Sequence, residues 1–267
     1  MIYVLLPAYN EAKSLPNILP KIAVELKSVG QDSSIIICDD GSTDDTFDYL
    51  NNNKDYYNLT ILRHPINRGL GETVRDLFEY AAMKCDDSDV IIRLDCDDTH
   101  EPKYFHQLAE QVNAGFDVVI ASRFAKGGQQ LGVSKYRTLI SLAANLFMKI
   151  FFPIKGVREY SCGFRAYSGK IIKEAVSVYG GNLIQLKGLG FTCTLEKLVK
   201  LKLLGASFTE VPFILRYDQK VSDSKMISSV TTFGYFTLAL FYHWPFGGWR
   251  QTYKNKIINM RAKNDNL

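Results

Sequence analysis

Residues 89–102 read DVIIRLDCDDTHEP. The apolar run of Val90, Ile91 and Ile92 leads, past Arg93 and Leu94, into Asp95, Asp97, Asp98 and Glu101. The run is too short for a helix and stops at polar turn residues, so it predicts a buried strand. Like charges crowded at the end of such a strand repel one another, which calls for a compensating partner. On either side the pattern changes to helical spacing. GETVRDLFEYAAMKC precedes the strand, and EPKYFHQLAEQVNAG follows it with Pro102 in its first turn. FDVVIASRF then supplies another apolar strand.

The same alternation extends to the N-terminus. IYVLLP, SIIICDD and LTILRH are short apolar runs. Between the first two, Leu15, Ile18, Leu19, Ile22, Leu26 and Val29 fall at helical spacing, with Ser14 as cap, Gly30 as stop and Pro20 expected to kink or delay the helix. Apolar strands separated by helices predict a mainly parallel sheet covered on both faces. Ligands of such sheets bind beyond the carboxyl ends of the strands, where both Asp39-Asp40 and Asp95-Asp97 fall. From Lys126 the pattern shifts. AKGGQQLG reads as a loop, SKYRTLISLAANLFMKIFF as a long apolar helix, and VREYSCGFRAYSG as a polar connector. Two further helices follow, KIIKEAVSVYGG and a stretch from about Thr192 to Leu204, and then a strand, SFTEVPFIL.

The 267 residues, 46% hydrophobic and 22% charged, suit a globular domain with ample core. A net charge of +4 is too small for nucleic-acid binding over the whole surface. The five cysteines are odd in number and lack metal-ligand spacing, which predicts reduced thiols in a cytosolic setting. The first residues lack the layout of a signal peptide, and no run of about 18 apolar residues predicts a membrane span. The C-terminal stretch is different. Phe233 to Trp244 is apolar and aromatic, and Arg250, Lys254, Lys256, Arg261 and Lys263 follow against a single Asp265. Such a segment fits a helix lying at a membrane interface, a buried helix packed on the rest of the chain, or a shallow re-entrant segment.

Several strand ends carry oxygen or nitrogen donors. Asp95 and Asp97, with Asp98 and Thr99 beside them, fit a hard cation such as Mg²⁺ or Mn²⁺, which takes one or two carboxylates plus substrate phosphates. A solvated turn in which Asp98 or Thr99 caps the next helix would read the same way. DDGSTDD offers a carboxylate to a nucleobase or ribose, and PAYNE adds polar groups after the first strand. NRGLGET lets backbone approach a ligand closely, yet it lacks the third glycine of a dinucleotide fingerprint. His100 adjoins the acidic cluster, whereas His106 falls on a helix and reads as a surface or packing residue.

PAYNEA, ICDDGSTDDT, NRGLGET, RLDCDDTHEP and SRF, in this order, resemble an inverting GT-A glycosyltransferase of family 2. The stretches SRFAKGGQQLGVSKYRTLISLAANL, VREYSCGFRAY and EVPFILRYDQKVSDSKM are similar to the acceptor half of dolichyl-phosphate mannose synthases and their bacterial polyprenyl-phosphate relatives. The resemblance implies a Rossmann-like GT-A domain over residues 1–220, with a sugar-nucleotide half (1–125), an acceptor half (126–220) and a basic, aromatic segment (221–267). It implies a nucleotide-sugar pocket of Pro7, Tyr9, Glu11, Asp39, Asp40, Arg68, Gly69 and Asp95. A metal would sit on Asp95, Asp97 and Thr99. Arg123, Ser134, Arg137, Arg216 and Lys225 would hold the acceptor phosphate, and Asp97 with the four cations would carry catalysis. Lys135, Arg165 and Lys220 add positive charge, and Glu196 matches a position near the acceptor, although a helix-face salt bridge explains it equally. Three features depart from the family pattern: Thr99 replaces a usual Gln, Glu159 and Ser161 replace Asp and Thr, and SDSK replaces Gly-Glu-Ser-Lys.

The implied reaction moves a hexose from GDP-mannose or UDP-glucose to a polyprenyl phosphate at the cytoplasmic side of a membrane, with the enzyme peripheral or shallowly inserted. A phosphate acceptor is already anionic and needs no general base, whereas a sugar hydroxyl does. The alternatives are a family 2 transferase acting on a sugar hydroxyl, and an inactive nucleotide-sugar-binding scaffold. Oligomeric state, sugar and polyprenol are not legible in these motifs.

Overall fold

A computed structural model describes residues 1–221 and 228–264. In chain order the elements begin β1 (Ile2–Ala8), α1 (Leu15–Val29), β2 (Ser33–Asp39), α2 (Thr46–Asn52), β3 (Leu59–Arg63), α3 (Leu70–Lys84), β4 (Val90–Arg93), α4 (Phe105–Asn113) and β5 (Val118–Ser122). They continue with β6 (Gln129–Leu131), α5 (Lys135–Phe151), β7 (Arg165–Ser168), α6 (Gly169–Tyr179), α7 (Thr192–Leu203), β8 (Phe208–Pro212), β9 (Ile214–Arg216), α8 (Ser228–His243) and α9 (Gly248–Asn264).

The main sheet has seven strands in the order β3-β2-β1-β4-β7-β5-β8. Every pairing is parallel except those of β7, which runs antiparallel between β4 and β5. All seven residues of β1 are buried, as a central strand covered on both faces requires. Alternate residues feed two cores: Tyr3 and Leu5 pack beneath α3, α6 and α7, while Val4 and Leu6 pack beneath α1 and α4. The sheet reverses order at β1 and β4, whose carboxyl ends meet the acidic clusters.

The mainly parallel α/β sheet expected from the alternation is present, with four local differences. The stretch read as a polar connector contains β7 at the centre of the sheet, and β6 interrupts the AKGGQQLG loop. SFTEVPFIL splits at Phe213 into β8 and β9, the latter pairing with β6 in a small second sheet. Pro20 neither delays nor ends α1, which starts at Leu15 and continues through it with the ring exposed. Ser14 does not cap α1 with its side chain; its hydroxyl donates to Glu11 Oε2 at 2.5 Å.

α8 and α9 form a hairpin against the catalytic body. Leu238, Ala239, Tyr242, Tyr253 and Ile257 are buried within the same core as α6 and α7. Gly234 allows the approach, since a Cβ there would lie 2.0 Å from Thr192 Oγ1. No described helix is long and apolar enough to cross a membrane.

Candidate active site

The candidate residues gather where β1, β2 and β4 end. After β2, Asp39 is fully buried, and its Oδ1 accepts a hydrogen bond from the Ser42 N–H at 3.1 Å. Its Oδ2 is buried without a hydrogen-bond partner, and the closest cation is Arg63 Nε at 3.5 Å. A buried carboxylate oxygen left without a donor is costly, and a nucleobase or ribose group would supply one. Gly41 makes the turn at φ +67°, where a Cβ would strike the Ile66 carbonyl carbon at 2.4 Å. Asp40 is used differently. Its Oδ1 accepts from the Arg68 N–H at 2.9 Å and its Oδ2 from the Gly69 N–H at 2.8 Å, so it pins the NRGLG loop. His64, buried at the end of β3, lies 2.6 Å from Asp40 Oδ1 and 2.9 Å from Asp76 Oδ2, joining this loop to α3. Arg68 pairs with Glu72 and Asp76 on the exposed side. Pro7 closes β1, Tyr9 follows it half-buried, and the Glu11 N–H donates to Thr46 Oγ1 at 2.7 Å.

The loop after β4 holds the second acidic cluster. Each of its three aspartates meets a cation from this chain: Asp95 meets Arg93 at 2.5 Å, Asp98 meets Lys21 at 2.7 Å, and Asp97 meets Lys220. Thr99 donates through its hydroxyl to Asp97 Oδ1 at 2.6 Å and so orients that carboxylate. Burial works to raise the Asp97 pKa, but His100, Lys220 and Thr99 hold it below the usual carboxylate value. His100 braces the loop. It is buried against Phe164 and Phe213, and its Nδ1 accepts from the Asp95 N–H at 3.2 Å. Burial first, then Arg93 and Arg123, push its pKa down against the pull of Asp95 and Asp97. A neutral ring already spent on backbone is a strut, not a general base.

Among the described residues no three His, Cys, Asp or Glu side chains converge into a metal cage. Two carboxylates do suit a cation whose remaining ligands are water and diphosphate oxygens, the usual habit of Mg²⁺ in phosphate sites. Asp95 and Asp97 therefore fit a metal that depends on its substrate, and Thr99 orients Asp97.

The residues expected on the acceptor side are organised by arginines. Arg123 is nearly buried and makes a fork with Glu159, at 2.7 Å through Nε and 3.0 Å through Nη2. The same guanidinium reaches Ser161 at 2.9 Å and Gln130 at 3.4 Å, which makes it a hub. Burial works to raise the Glu159 pKa, but Arg123 and Ser161 outweigh it and hold the carboxyl below its usual range. Ser134 caps α5, accepting from the Arg137 N–H at 3.3 Å, and Arg137 donates to the Tyr217 hydroxyl at 2.5 Å. The Arg216 N–H donates to the Thr99 carbonyl at 3.0 Å, and its guanidinium pairs with Asp218 and Glu101. The segment from Arg216 to Lys220 thus links the first turn of α5 to the acidic loop. Lys225 lies outside the described residues. Lys135 and His106 are exposed at the surface. Arg165 is buried and donates to the Thr194 and Tyr160 carbonyls. Glu196 makes the salt bridge along its helix: it is fully buried, paired with Lys200 at 2.5 Å, and accepts from the Gln185 and Leu186 N–H groups.

α5 is apolar on the outside. Leu139, Leu142, Leu146 and Ile150 recur on one stripe, all exposed. α8 packs along it through Phe147 and Phe236, whose rings lie 5.0 Å apart, and adds exposed Phe233, Phe236 and Leu240. Trp244 and Phe246, just beyond α8, are exposed as well, as are the cations Lys149, Lys155 and Arg250.

Residues 3–176 match the family described as Glycosyl transferase family 2. A dolichol-phosphate mannosyltransferase of Pyrococcus furiosus is 29% identical over 79% of this chain, and the match spans 55% of that relative's length. An undecaprenyl-phosphate mannosyltransferase of Micrococcus luteus is 27% identical over 85% of this chain and 87% of that one. Among solved structures, glucosyl-3-phosphoglycerate synthase from Mycobacterium tuberculosis, in complex with Mn²⁺, uridine diphosphate and phosphoglyceric acid, aligns with a TM-score of 0.58 at 16% identity. That alignment covers 90% of this chain and 78% of the other, a likeness of fold.

Proposed function

The chain belongs to glycosyl transferase family 2, and from that premise we propose that it transfers a hexose from a nucleoside-diphosphate sugar to a polyprenyl phosphate at a membrane surface. The observation that carries this reading is the position of α5. Its first turn touches the cationic segment at the acidic loop through Arg137 and Tyr217. From there a stripe of exposed leucines and isoleucine runs from Leu139 to Ile150 of this helix, about 17 Å. A phosphate held at that first turn with an apolar tail lying along the helix matches both features, and a soluble sugar matches only one. The mannosyltransferases similar to this chain support mannose as the sugar, with GDP-mannose first and UDP-glucose second.

In this reading Pro7, Tyr9, Glu11 and Asp39 contact the nucleotide, while Asp40 holds Arg68 and Gly69 against it. Asp95 and Asp97 would hold Mg²⁺ or Mn²⁺, which when bound neutralises the diphosphate. An oxygen of the acceptor phosphate bonds to the anomeric carbon as the bond from that carbon to the β-phosphate oxygen breaks. The electron pair leaves with the nucleoside diphosphate, and no proton need move. Arg137 and Lys220, with Lys225, hold the anionic groups in line, and Arg123 positions the acceptor pocket through Glu159 and Ser161. Glu159, Asp98 and Asp218 are each engaged by a cation, which favours a phosphate acceptor over a hydroxyl needing a base. Residues 1–125 serve as the donor half and 126–220 as the acceptor half of one domain. The α5–α8 face rests on the cytoplasmic leaflet, its aromatic rings at headgroup depth and the exposed lysines on anionic lipid.

The test supplies labelled GDP-mannose or UDP-glucose, Mn²⁺ and undecaprenyl or dolichyl phosphate, then extracts the lipid. Label in the lipid phase is the expected result. Transfer to soluble saccharide alone, or to no acceptor, overturns the proposal.

A further inference from the structure

Arg93 ends β4, lies almost wholly buried, and stands directly opposite Arg165 of β7, which is also buried. Like charges facing each other in the centre of a sheet are destabilising, and Lys197 of α7 is buried close to both. Among the described residues the Arg93 Nε and Nη1 atoms have no hydrogen-bond partner, and the guanidinium fills the space beside Gly163 that a side chain would take, since a Cβ there would fall 1.5 Å from Nη1. Its ion pair among the described residues is with Asp95 Oδ1 at 2.5 Å. Breaking that contact would strand a buried charge, so Arg93 retains this oxygen and leaves Oδ2 for a ligand.

Asp97 is matched in turn by Lys220, whose long stem and partial exposure let it move where Arg93 cannot. Counted over the two carboxylates and the cations touching them, the charge is zero. A divalent ion arriving alone would bring that cluster to two positive charges. A nucleoside-diphosphate sugar carries two negative charges, so its complex with the metal is neutral and leaves the balance intact.

We infer that Arg93 is a positioning residue which, together with Lys220, keeps the Asp95–Asp97 pair charge-balanced, so that the site accepts a divalent metal only in company with a nucleoside diphosphate. This rests on the glycosyltransferase reading above and assigns the coupling to a residue of this chain. Arg93 fixes the rotamer of Asp95 and withholds one of its oxygens. Lys220 yields its place on Asp97 and passes to the phosphates.

The experiment measures Mn²⁺ binding through the spectrum of the free ion, with no nucleotide, with GDP and with UDP. Wild-type protein is expected to bind Mn²⁺ at least about tenfold more tightly with one of the nucleotides than without. In Arg93→Met, nucleotide-free Mn²⁺ binding should tighten about tenfold and the nucleotide dependence should shrink. Arg93→Lys keeps the charge and should stay near wild type. Gly163→Ala displaces the guanidinium without removing it and should move in the direction of Arg93→Met; it decides the matter if Arg93→Met does not fold, as judged by circular dichroism. Unchanged or weaker nucleotide-free binding in the folded variants overturns the inference and leaves the transferase reading standing. Failure of the wild type to bind Mn²⁺ with either nucleotide overturns both.

Discussion

The donor edge of the sheet and the α5–α8 face are built on opposite rules. At the donor edge the carboxylates Asp40, Asp95, Asp97 and Asp98 are each bound by a backbone N–H or a cation, while Asp39 Oδ2 is buried with no hydrogen-bond partner among the described residues. On the other face leucines and phenylalanines stand in the open with few polar atoms between them. The first arrangement fixes geometry before a small charged ligand arrives, and a displacement of one ångström there is expensive. The second leaves geometry loose and offers area, which suits a fluid apolar partner. A transferase joining a soluble donor to a lipid acceptor needs both.

The largest test of this contrast is at the donor edge. Asp97→Ala should reduce transfer by roughly a thousandfold or more, with EDTA doing the same to the wild type. Activity surviving either treatment would remove the case for a rigid, metal-completed edge. Next comes the connection between the two regions. Glu196 and Lys200 are both fully buried, and Lys200 lies 4.3 Å from the Trp249 ring of α9. Glu196→Ala leaves a buried cation unmatched and should cost about 3–5 kcal/mol in denaturant unfolding. A small loss would mean that the C-terminal hairpin is not anchored through this pair.

On the apolar face the expectation reverses. Leu142→Glu with Phe233→Glu should alter unfolding free energy by no more than about 0.5 kcal/mol at each site, because both residues are exposed. The same variant should lose sedimentation with vesicles of anionic lipid. Equal binding by variant and wild type would show that this face does not meet the membrane. The smallest effect is on pH. The folded-state pKa of Glu159 lies below its ordinary value of 4.5, so its contribution to stability is complete above that pH and is lost as pH falls through the lower, folded value. Glu159→Gln should flatten this acid limb of the stability profile, as read from unfolding midpoints between neutral pH and pH ~3.

Much of the donor side was legible because apolar runs and acidic turns alternate there without interruption. β1, β2, β4 and β5 follow from their runs, and Asp39, Asp95 and Asp97 from their places at the ends. β7 was not legible. Arg165–Ser168 is four residues of mixed polarity, and it is a strand only because β4 and β5 leave a gap for it. The roles of Asp40 and His64 also depend on tertiary contact, since a turn motif does not tell a ligand-facing carboxylate from one that holds the next loop. Arg93 left a signal that could have been used: a charged residue closing an apolar run, two positions before a carboxylate. α5 was readable as an apolar helix, but its outward-facing stripe was not, because periodicity gives a face and not what covers it.

The central place of β7 also bears on how the chain is made. As synthesis proceeds from the N-terminus, β4 and β5 emerge before the strand that joins them, so each has an unpaired edge while the ribosome completes the α5 region. Nascent chains arrested before Arg165 should be sticky and protease-sensitive, and protection should be complete only once α6, α7 and β8 have followed β7. The acidic edge of the sheet, although nearly all its residues lie early in the chain, cannot take its final form until a late segment slides into the middle of the sheet.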